Sequence, residues 1–574
     1  MNWTYGYAAD TEYTSQYFAE MTPAHLDLMA LTAQVLPPEH DAGRYRYCEL
    51  GCGNGMSTAL LAAANPQAEF VGIDFMPVHI ANARRAARRG GLKNVQFLEM
   101  SFAQACDHEF EPFDYIVAHG VYSWISPANR LEMVQFFKKF LAPGGLVYLS
   151  YNTHPGWTPV SPVQKLVSEI AGSIQGSSPK RVVAGFDFAS KLLSKGALAF
   201  ASHPAAKQQI EKAATQQPNY LAQEFINADW HPMYVTDVMR ELDQAKLEFA
   251  SSATAADNDY RFIVDEEMAK VIREQPTVQL RELVKDIATN CRFRRDIYTR
   301  GGRRLSGLDQ RQLLARKRIA LVRSPSHINY HCDLGGRKLN FETPMARETV
   351  NALAKGPKTL AEIAQHLSAS GSTDGLRAAI EVTTVLIVAG CAIPVEENAR
   401  TPTAMNKSLT AAALEDTACN ALCTSWGTGI IVNLLEMALI EVAAPRDTVA
   451  AVAEKLFLLA QRKGRVFNNA GVVLNGAHIP RYACRIRSSF INCWCGPSST
   501  TRPASSTYPR LAKCSASATR CSTSSTVRPD SWWIDTIRSK ISSAVDGASP
   551  IDGSSSISSF GDDASPRAIA SICC

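Results

Sequence analysis

The chain has 574 residues, 46% of them apolar and 20% charged, with a formal net charge of +5. That length calls for three or four domains rather than one core, and the composition is that of an ordinary soluble globular protein. No run reaches eighteen apolar residues, which excludes a membrane span, and the whole positive surplus falls in residues 481–574, which leaves no broad basic face for nucleic acid elsewhere.

The opening "MNWTYGYAADTEYTSQYF" has no basic segment followed by an apolar one, so it is not read as a secretory signal. The expected compartment is the reducing cytoplasm. Eight cysteines are scattered through the first 480 residues without a repeated CxxC, so no metal site is expected. The densest basic run, "ARRAARRG" (83–90), reads as a solvated helix face.

Taken in order, "YRYCEL" (45–50) is a short strand that runs into glycines, and "MSTALLAAANP" a helix ended by Pro66. "AEFVGID" (68–74) is a second strand ending in an acid. The next helix, "MPVHIANARRAARRG", has proline in its first turn and glycine at its end. "NVQFLEM" and "FDYIVAHG" (113–120) are the third and fourth strands. "RLEMVQFFKKFLAPGG" is a helix stopped by Pro-Gly-Gly, and "LVYLSYN" (146–152) the fifth strand. Alternation with short links predicts a parallel sheet covered on both faces, with ligands beyond the C-terminal strand ends.

After Pro159 the pattern turns helical, giving an insertion over 160–225. Residues 233–253 read as a helix and a strand that return to the sheet. Helix, turn, helix, then helix and short strand predict a winged-helix-like module near 342–400, without a basic recognition face. Apolar helices over 430–465 close a small C-terminal domain. Residues 481–574 hold 23 Ser, one Leu and no Glu, and cannot build an apolar face. They read as a disordered or aberrant tail, of the kind translation in a shifted frame gives, with functional low-complexity sequence as the alternative.

The turn after the first strand is Gly51-Cys52-Gly53-Asn54-Gly55. A dinucleotide site wants GxGxxG and a phosphate loop wants a Lys-Ser or Lys-Thr pair; neither is present. A bare loop against a nucleoside and a zwitterionic amino-acid group fits better, because glycine lets a ligand approach the backbone closely. Asp74, nineteen residues beyond Gly55, can accept from both ribose hydroxyls or can cap the helix that follows. Phe75 can pack on an adenine face, and Ser101 and Phe102 are placed to border the same ring.

"CELGCGNG", "VGIDFMPVHIANARRAA", "FDYIVAHGVYSWI" and "LAPGGLVYLSYNTHPGW" resemble the class I S-adenosylmethionine-dependent methyltransferases. More narrowly they resemble those with a methyltransferase regulatory domain, among them bacterial protein lysine methyltransferases such as the rickettsial enzymes that modify an outer-membrane protein. The core match spans roughly 3–155; 220–250 and 291–302 look like the regulatory region. The resemblance implies an α/β fold, with a Rossmann-like methyltransferase sheet, and S-adenosyl-L-methionine as cofactor. It implies Glu49, Gly51, Gly53 and Gly55 as the cofactor loop, Asp74 at the ribose, and Phe75, Ser101 and Phe102 around adenine. Ser101 stands where the family more usually has an acid. The N-terminal aromatics, Tyr5 or Tyr13, would fold over the cofactor as a lid or pack as a strap.

Methyl transfer is an in-line substitution that needs an aligned lone pair, not a metal or a covalent nucleophile. An amine acceptor must be neutral, which an aromatic-lined, shielded site favours. The residues at the active edge are His119, to orient substrate or relay a proton, Tyr122 and Trp124, to line an acceptor channel, and Tyr151 and Asn152, to hold the acceptor. Each also has a plain packing role open to it. Trp230, His231 and Tyr234 would roof the pocket. The expected layout is a methyltransferase core over 1–159, an insertion over 160–225 that could pair two copies into a homodimer, the core return and regulatory region over 226–335, the winged-helix-like module over 336–400, a helical region over 401–480 and the tail. The expected reaction is methyl transfer to a protein lysine side chain. A small-molecule acceptor and a non-catalytic binding protein are the alternatives.

Overall fold

The computed structural model describes residues 6–7, 10, 16–40, 43–334, 337–369, 371–396, 402–413, 419–432, 434–442, 455–456, 458–460, 462–463, 467–469 and 472–474. Tyr5, Tyr13 and the expected tail, 481–574, lie outside the described residues.

A first helix, α1 (Pro23–Thr32), starts on a Thr22 cap with proline at its first position. The alternating part follows: β1 (Arg46–Leu50), α2 (Met56–Ala64), β2 (Glu69–Asp74), α3 (Pro77–Gly90), β3 (Val95–Glu99), α4 (Phe102–Asp107), β4 (Phe113–Ala118), α5 (Pro127–Phe140) and β5 (Leu141–Asn152). Each boundary has a local cause. Gly91 ends α3 in the left-handed region. Ser101 and Gln104 form a capping box on α4, and Ser126 caps α5.

One boundary differs from expectation. The helix before the fifth strand ends at Phe140, and β5 starts at Leu141 rather than residue 146. Pro143 disfavours helical backbone at the residue before it, so the chain is already extended before the Pro-Gly-Gly. The added length is taken up by a register shift, with Phe113 facing Leu141 and Tyr115 facing Leu146.

The insertion consists of α6 (Ser161–Gly172), α7 (Ser178–Ser194), α8 (Leu198–Ala201), α9 (Pro204–Ala213) and α10 (Pro218–Phe225). It has its own apolar core, which includes Trp157, Val163, Val167, Phe186, Leu221 and Phe225. The chain then returns through α11 (Val235–Asp243), β6 (Glu248–Ser252), α12 (Glu266–Arg273), α13 (Val278–Thr289) and β7 (Phe293–Thr299).

The seven strands lie in the order β3-β2-β1-β4-β5-β7-β6. β1 to β5 are parallel, and β7 runs antiparallel to both of its neighbours. Strand order reverses between β1 and β4, so a crevice opens beyond their C-terminal ends, where sheets of this kind bind ligands. β7 was not foreseen as a sheet member. Its "FRRDIYT" carries buried charges in place of an apolar run. Arg294 pairs with Glu282 and Asp286 at 2.6 Å and with Asp296 at 2.9 Å, in a buried cluster of paired charges.

C-terminal to the sheet, α14 (Gly307–Arg316) leads into β8 (Arg318–Leu321) and a hairpin of β9 (His331–Leu334) and β10 (Arg337–Asn340). Then come α15 (Pro344–Leu353), β11 (Lys358–Thr359), α16 (Leu360–Ala369), α17 (Gly375–Val388) and β12 (Ala392–Val395). The small sheet has the order β11-β8-β12, so this module draws its central strand from upstream of residue 342. The last described segments pack back on the core: the Tyr17 hydroxyl meets Thr428 at 2.7 Å and accepts from the Gly429 N–H at 2.8 Å. Among the described residues no helix is long and apolar enough to cross a membrane, and no three His, Cys, Asp or Glu cluster as a metal would need.

Candidate active site

A cleft opens over the C-terminal ends of β1, β2 and β4 and is covered from the other side by α10 of the insertion. Its floor is the glycine loop. The N–H groups of Gly51 and Cys52 both donate to the Ile73 carbonyl, at 2.8 and 3.0 Å, which ties the loop to the end of β2. Gly53 and Gly55 both have positive φ, 51° and 66°, but serve different ends. A β-carbon on Gly53 would meet no protein atom within 4 Å, so its bare face is open to the cleft. A β-carbon on Gly55 would run into Phe97 and Ala83, so that glycine lets α2 and α3 pack. Gly51 and Gly53 line the cleft; Gly55 does not.

Glu49 lies beneath the loop and does not line the cleft. It is 6% exposed and accepts a hydrogen bond from the Thr58 hydroxyl. Burial raises its carboxyl to about 7. It supports the first turn of α2.

Asp74 ends β2 and is 7% exposed. Its Oδ2 accepts the Gly53 N–H at 2.8 Å, and its Oδ1 accepts the Met76 N–H at 2.9 Å and faces His79 Nδ1 at 3.3 Å. The carboxylate therefore performs the helix-start role and also lines the cleft. Backbone N–H groups occupy two of its four lone-pair sites, one on each oxygen, and His79 Nδ1 faces Oδ1.

Phe75 lines the cleft beside Asp74, edge-on to Tyr7 at 5.8 Å. Ser101 and Phe102 face it from the start of α4. The Ser101 N–H donates to Gln104 Oε1 at 2.9 Å and its Oγ accepts the Gln104 N–H at 3.2 Å. The capping box uses the Ser101 N–H and one lone pair of its Oγ, and leaves the hydroxyl proton to donate.

The four residues expected to do chemistry are not brought together. His119 lines the cleft; its Nδ1 meets the Tyr148 hydroxyl at 2.8 Å and its ring stacks on Phe18 at 3.7 Å. Burial, aided by the Arg295 charge, holds it well below the usual histidine range, so the imidazole is neutral. Its Nε2 is buried without a partner. Asn152 sits behind the lining, at the end of β5. Tyr122 donates to Glu241 Oε2 at 2.6 Å, in a group with Arg130 on the far side of its turn. Tyr151 donates to Asp296 Oδ2 at 2.6 Å and belongs to the Arg294 cluster. Neither tyrosine lines the cleft: the Tyr122 hydroxyl is committed to the half-buried Glu241 and that of Tyr151 to the buried Asp296. Of the aromatic residues expected to line a channel or form a roof, Trp124 lines the cleft, whereas Trp230, His231 and Tyr234 do not. Trp230 packs edge-on to Trp157, His231 pairs with Asp229, and Tyr234 packs on His154.

The residues that sequence reasoning missed come from α10 and just past its end. Tyr220, Gln223, Glu224 and Asn227 all line the cleft, and His79 and Asn129 join them. The available signal was an acid inside "YLAQEFI", where Leu221, Ala222 and Phe225 pack inward. Glu224 is 4% exposed, and an acid so deeply buried is unusual.

Comparison with known proteins agrees with this architecture. The methyltransferase domain family matches residues 48–147, and the predicted methyltransferase regulatory domain family matches 217–300. The uncharacterized protein sll1526 of Synechocystis is 35% identical over 373 residues, 65% of this chain and 74% of that one. The chain belongs to the S-adenosylmethionine-dependent methyltransferases that carry a methyltransferase regulatory domain. RP789 of Rickettsia prowazekii is 27% identical over 291 residues, half of this methyltransferase and 51% of RP789. Among solved structures, PKMT2 from Rickettsia typhi in complex with AdoHcy superposes with a TM-score of 0.62 at 16% identity, covering 83% of this chain and 98% of PKMT2. The methyltransferase sheet therefore runs from β1 to β7, with the regulatory region supplying α10 to the cleft and β6 and β7 to the sheet.

Proposed function

We propose that S-adenosylmethionine lies across the Gly51–Gly55 loop, with its nucleoside toward Asp74, Phe75 and Phe102 and its sulfur toward His119 and Trp124. The fit rests on two observations. The open face of Gly53 leaves room for a ligand against the backbone. Buried polar atoms without protein partners collect at the cleft: His79 Nε2, His119 Nε2 and Glu224 Oε1. Such atoms are rare in folded chains unless a ligand or water completes them.

When bound, the cofactor supplies an electrophilic methyl group on a positively charged sulfur. The chain's own residues bind and shield. Asp74 offers its open acceptor sites to the ribose hydroxyls while it holds Gly53 in place. Phe75 and Phe102 give apolar faces to the base. Neutral His119 adds no positive charge next to a cationic group. Trp124 and α10 exclude water from the transfer end.

The acceptor we favour is a protein lysine side chain, supported by the resemblance to bacterial protein lysine methyltransferases. The observation that carries the cofactor reading is the Gly53–Asp74 hydrogen bond at the edge of an open glycine face. A labelled-methyl assay over cell lysate, split into protein and small-molecule fractions, tests the acceptor. Label that stays with denatured protein supports the lysine reading; label only in small molecules favours the alternative, and no label in either fraction removes the transferase role.

A further inference from the structure

Glu224 lines the cleft with a buried oxygen that no hydrogen bond of the chain satisfies. It projects from α10, and the end of that helix is held by Gln164, whose Nε2 donates to the Phe225 carbonyl at 3.1 Å. Carboxylate Oε1 has no hydrogen-bond partner. Two groups outside the insertion face the carboxyl. Arg292, between α13 and β7, favours its charged form across space, as does the Asn152 amide at the end of β5. Asn152 Nδ2 likewise has no hydrogen bond of ordinary geometry. Arg292 is otherwise engaged, stacking over Trp157 at 3.8 Å and donating to Gln209 at 2.7 Å.

A buried carboxyl without a close ion pair is costly as an anion. Burial accordingly lifts Glu224 to about 8. This is far above the ordinary carboxylate range and close to the range of amines. Groups with near-matched affinities for a proton exchange it readily.

We propose that Glu224 is a catalytic residue that receives the acceptor, a primary amine, and takes its proton. This rests on the cofactor reading above and adds the acceptor's chemical class and its partner. Near pH 7 the resting carboxyl carries a proton; as the ammonium arrives, that proton leaves to solvent and the ammonium donates to the carboxylate Oε1. One N–H bond breaks and an O–H bond forms, leaving a neutral amine and a neutral carboxylic acid. The electrons of the N–H bond become the nitrogen lone pair that points at the methyl group. The transfer that follows forms a C–N bond, breaks the C–S bond, and leaves the positive charge on nitrogen. Trp124 and Tyr220 line the same cleft, and aromatic faces of this kind accommodate a cation.

The test needs no knowledge of the acceptor. Sinefungin is a cofactor analogue in which a carbon bearing a primary amine replaces the methylated sulfur, so it puts an ammonium where the transferred methyl would lie. S-adenosylhomocysteine lacks that group. Titration calorimetry on the full chain compares the two in wild type and in Glu224→Gln. Wild type is expected to prefer sinefungin, and Glu224→Gln to lose roughly tenfold to a hundredfold of that preference, with S-adenosylhomocysteine affinity unchanged. Equal preference in both proteins overturns the assignment. A second measurement needs no variant. At pH 7, sinefungin binding to wild type should release about one proton, read from heats in two buffers of different ionisation enthalpy. S-adenosylhomocysteine should release none, and equal release with both ligands also overturns it. If neither ligand binds wild type, the cofactor reading fails instead.

Discussion

The Gly53 N–H donates to Asp74 Oδ2 at 2.8 Å. One carboxylate thereby fixes the turn after β1, starts the helix after β2, and borders the cleft. The structural and ligand-facing parts of the loop can be separated by experiment because Gly55 packs against Phe97 and Ala83 and does not line the cleft.

The contrast between Gly53 and Gly55 gives the first prediction. Both are in the left-handed region, so alanine is strained at each. Gly53→Ala adds a methyl group that meets no protein atom within 4 Å. It should cost about 1 kcal/mol of stability and weaken S-adenosylhomocysteine binding by an order of magnitude or more. Gly55→Ala drives a methyl group into Phe97 and Ala83 and should cost about 2–4 kcal/mol. Thermal unfolding paired with calorimetry reads both. Equal stability losses in the two variants would contradict the division of labour.

Tyr151 provides a second. Its hydroxyl donates to Asp296 inside the Arg294 cluster, so Tyr151→Phe should cost about 1–3 kcal/mol and leave cofactor affinity unchanged. Tyr122→Phe should behave in the same way through Glu241. A variant that unfolds like wild type but loses methyl transfer would restore these tyrosines to the chemistry.

Those two tyrosines show where the sequence ceased to be legible. The alternation of strands and helices from 45 to 152 carried the sheet, because each element has its own cap, proline or glycine. Asp74 and the glycines were legible for the same reason: they follow strand ends. Tyr122 follows β4, and Tyr151 and Asn152 are the last residues of β5, but a place at a strand end does not say which way a side chain faces. Their partners, Glu241, Asp296 and Met233, lie 80 residues or more along the chain. β7 was hidden because its charged residues are paired across the fold. Glu224 was hidden because α6 to α9 separate α10 along the chain from the strands it covers.

Two buried carboxyls set a third prediction, for the ligand-free chain. Glu49 is raised to about 7 and Glu224 to about 8, both chiefly by burial. The folded state therefore holds protons that the unfolded state has released above the usual glutamate value, near 4.5. Stability should be fullest below that value and fall as pH rises through 7 and 8. Thermal unfolding from pH 5 to 9 should show this decline, and Glu224→Gln should flatten its upper part. The same slope in wild type and Glu224→Gln would contradict it.

Ser101 yields a fourth. Its N–H donates to Gln104 and its Oγ accepts from it, so Ser101→Ala should remove an N-cap worth about 1 kcal/mol and change cofactor affinity by less than about twofold. A tenfold loss of affinity, measured by calorimetry, would return Ser101 to the adenine.

The central claim is that a nucleoside with a charged sulfur rests on Gly53 and is gripped by Asp74, and titration of S-adenosylmethionine into wild type and Asp74→Ala tests it most directly. Binding by wild type, with a loss of a hundredfold or so in the variant, is the predicted result. No binding by wild type, or equal affinity in the two proteins, would contradict the account.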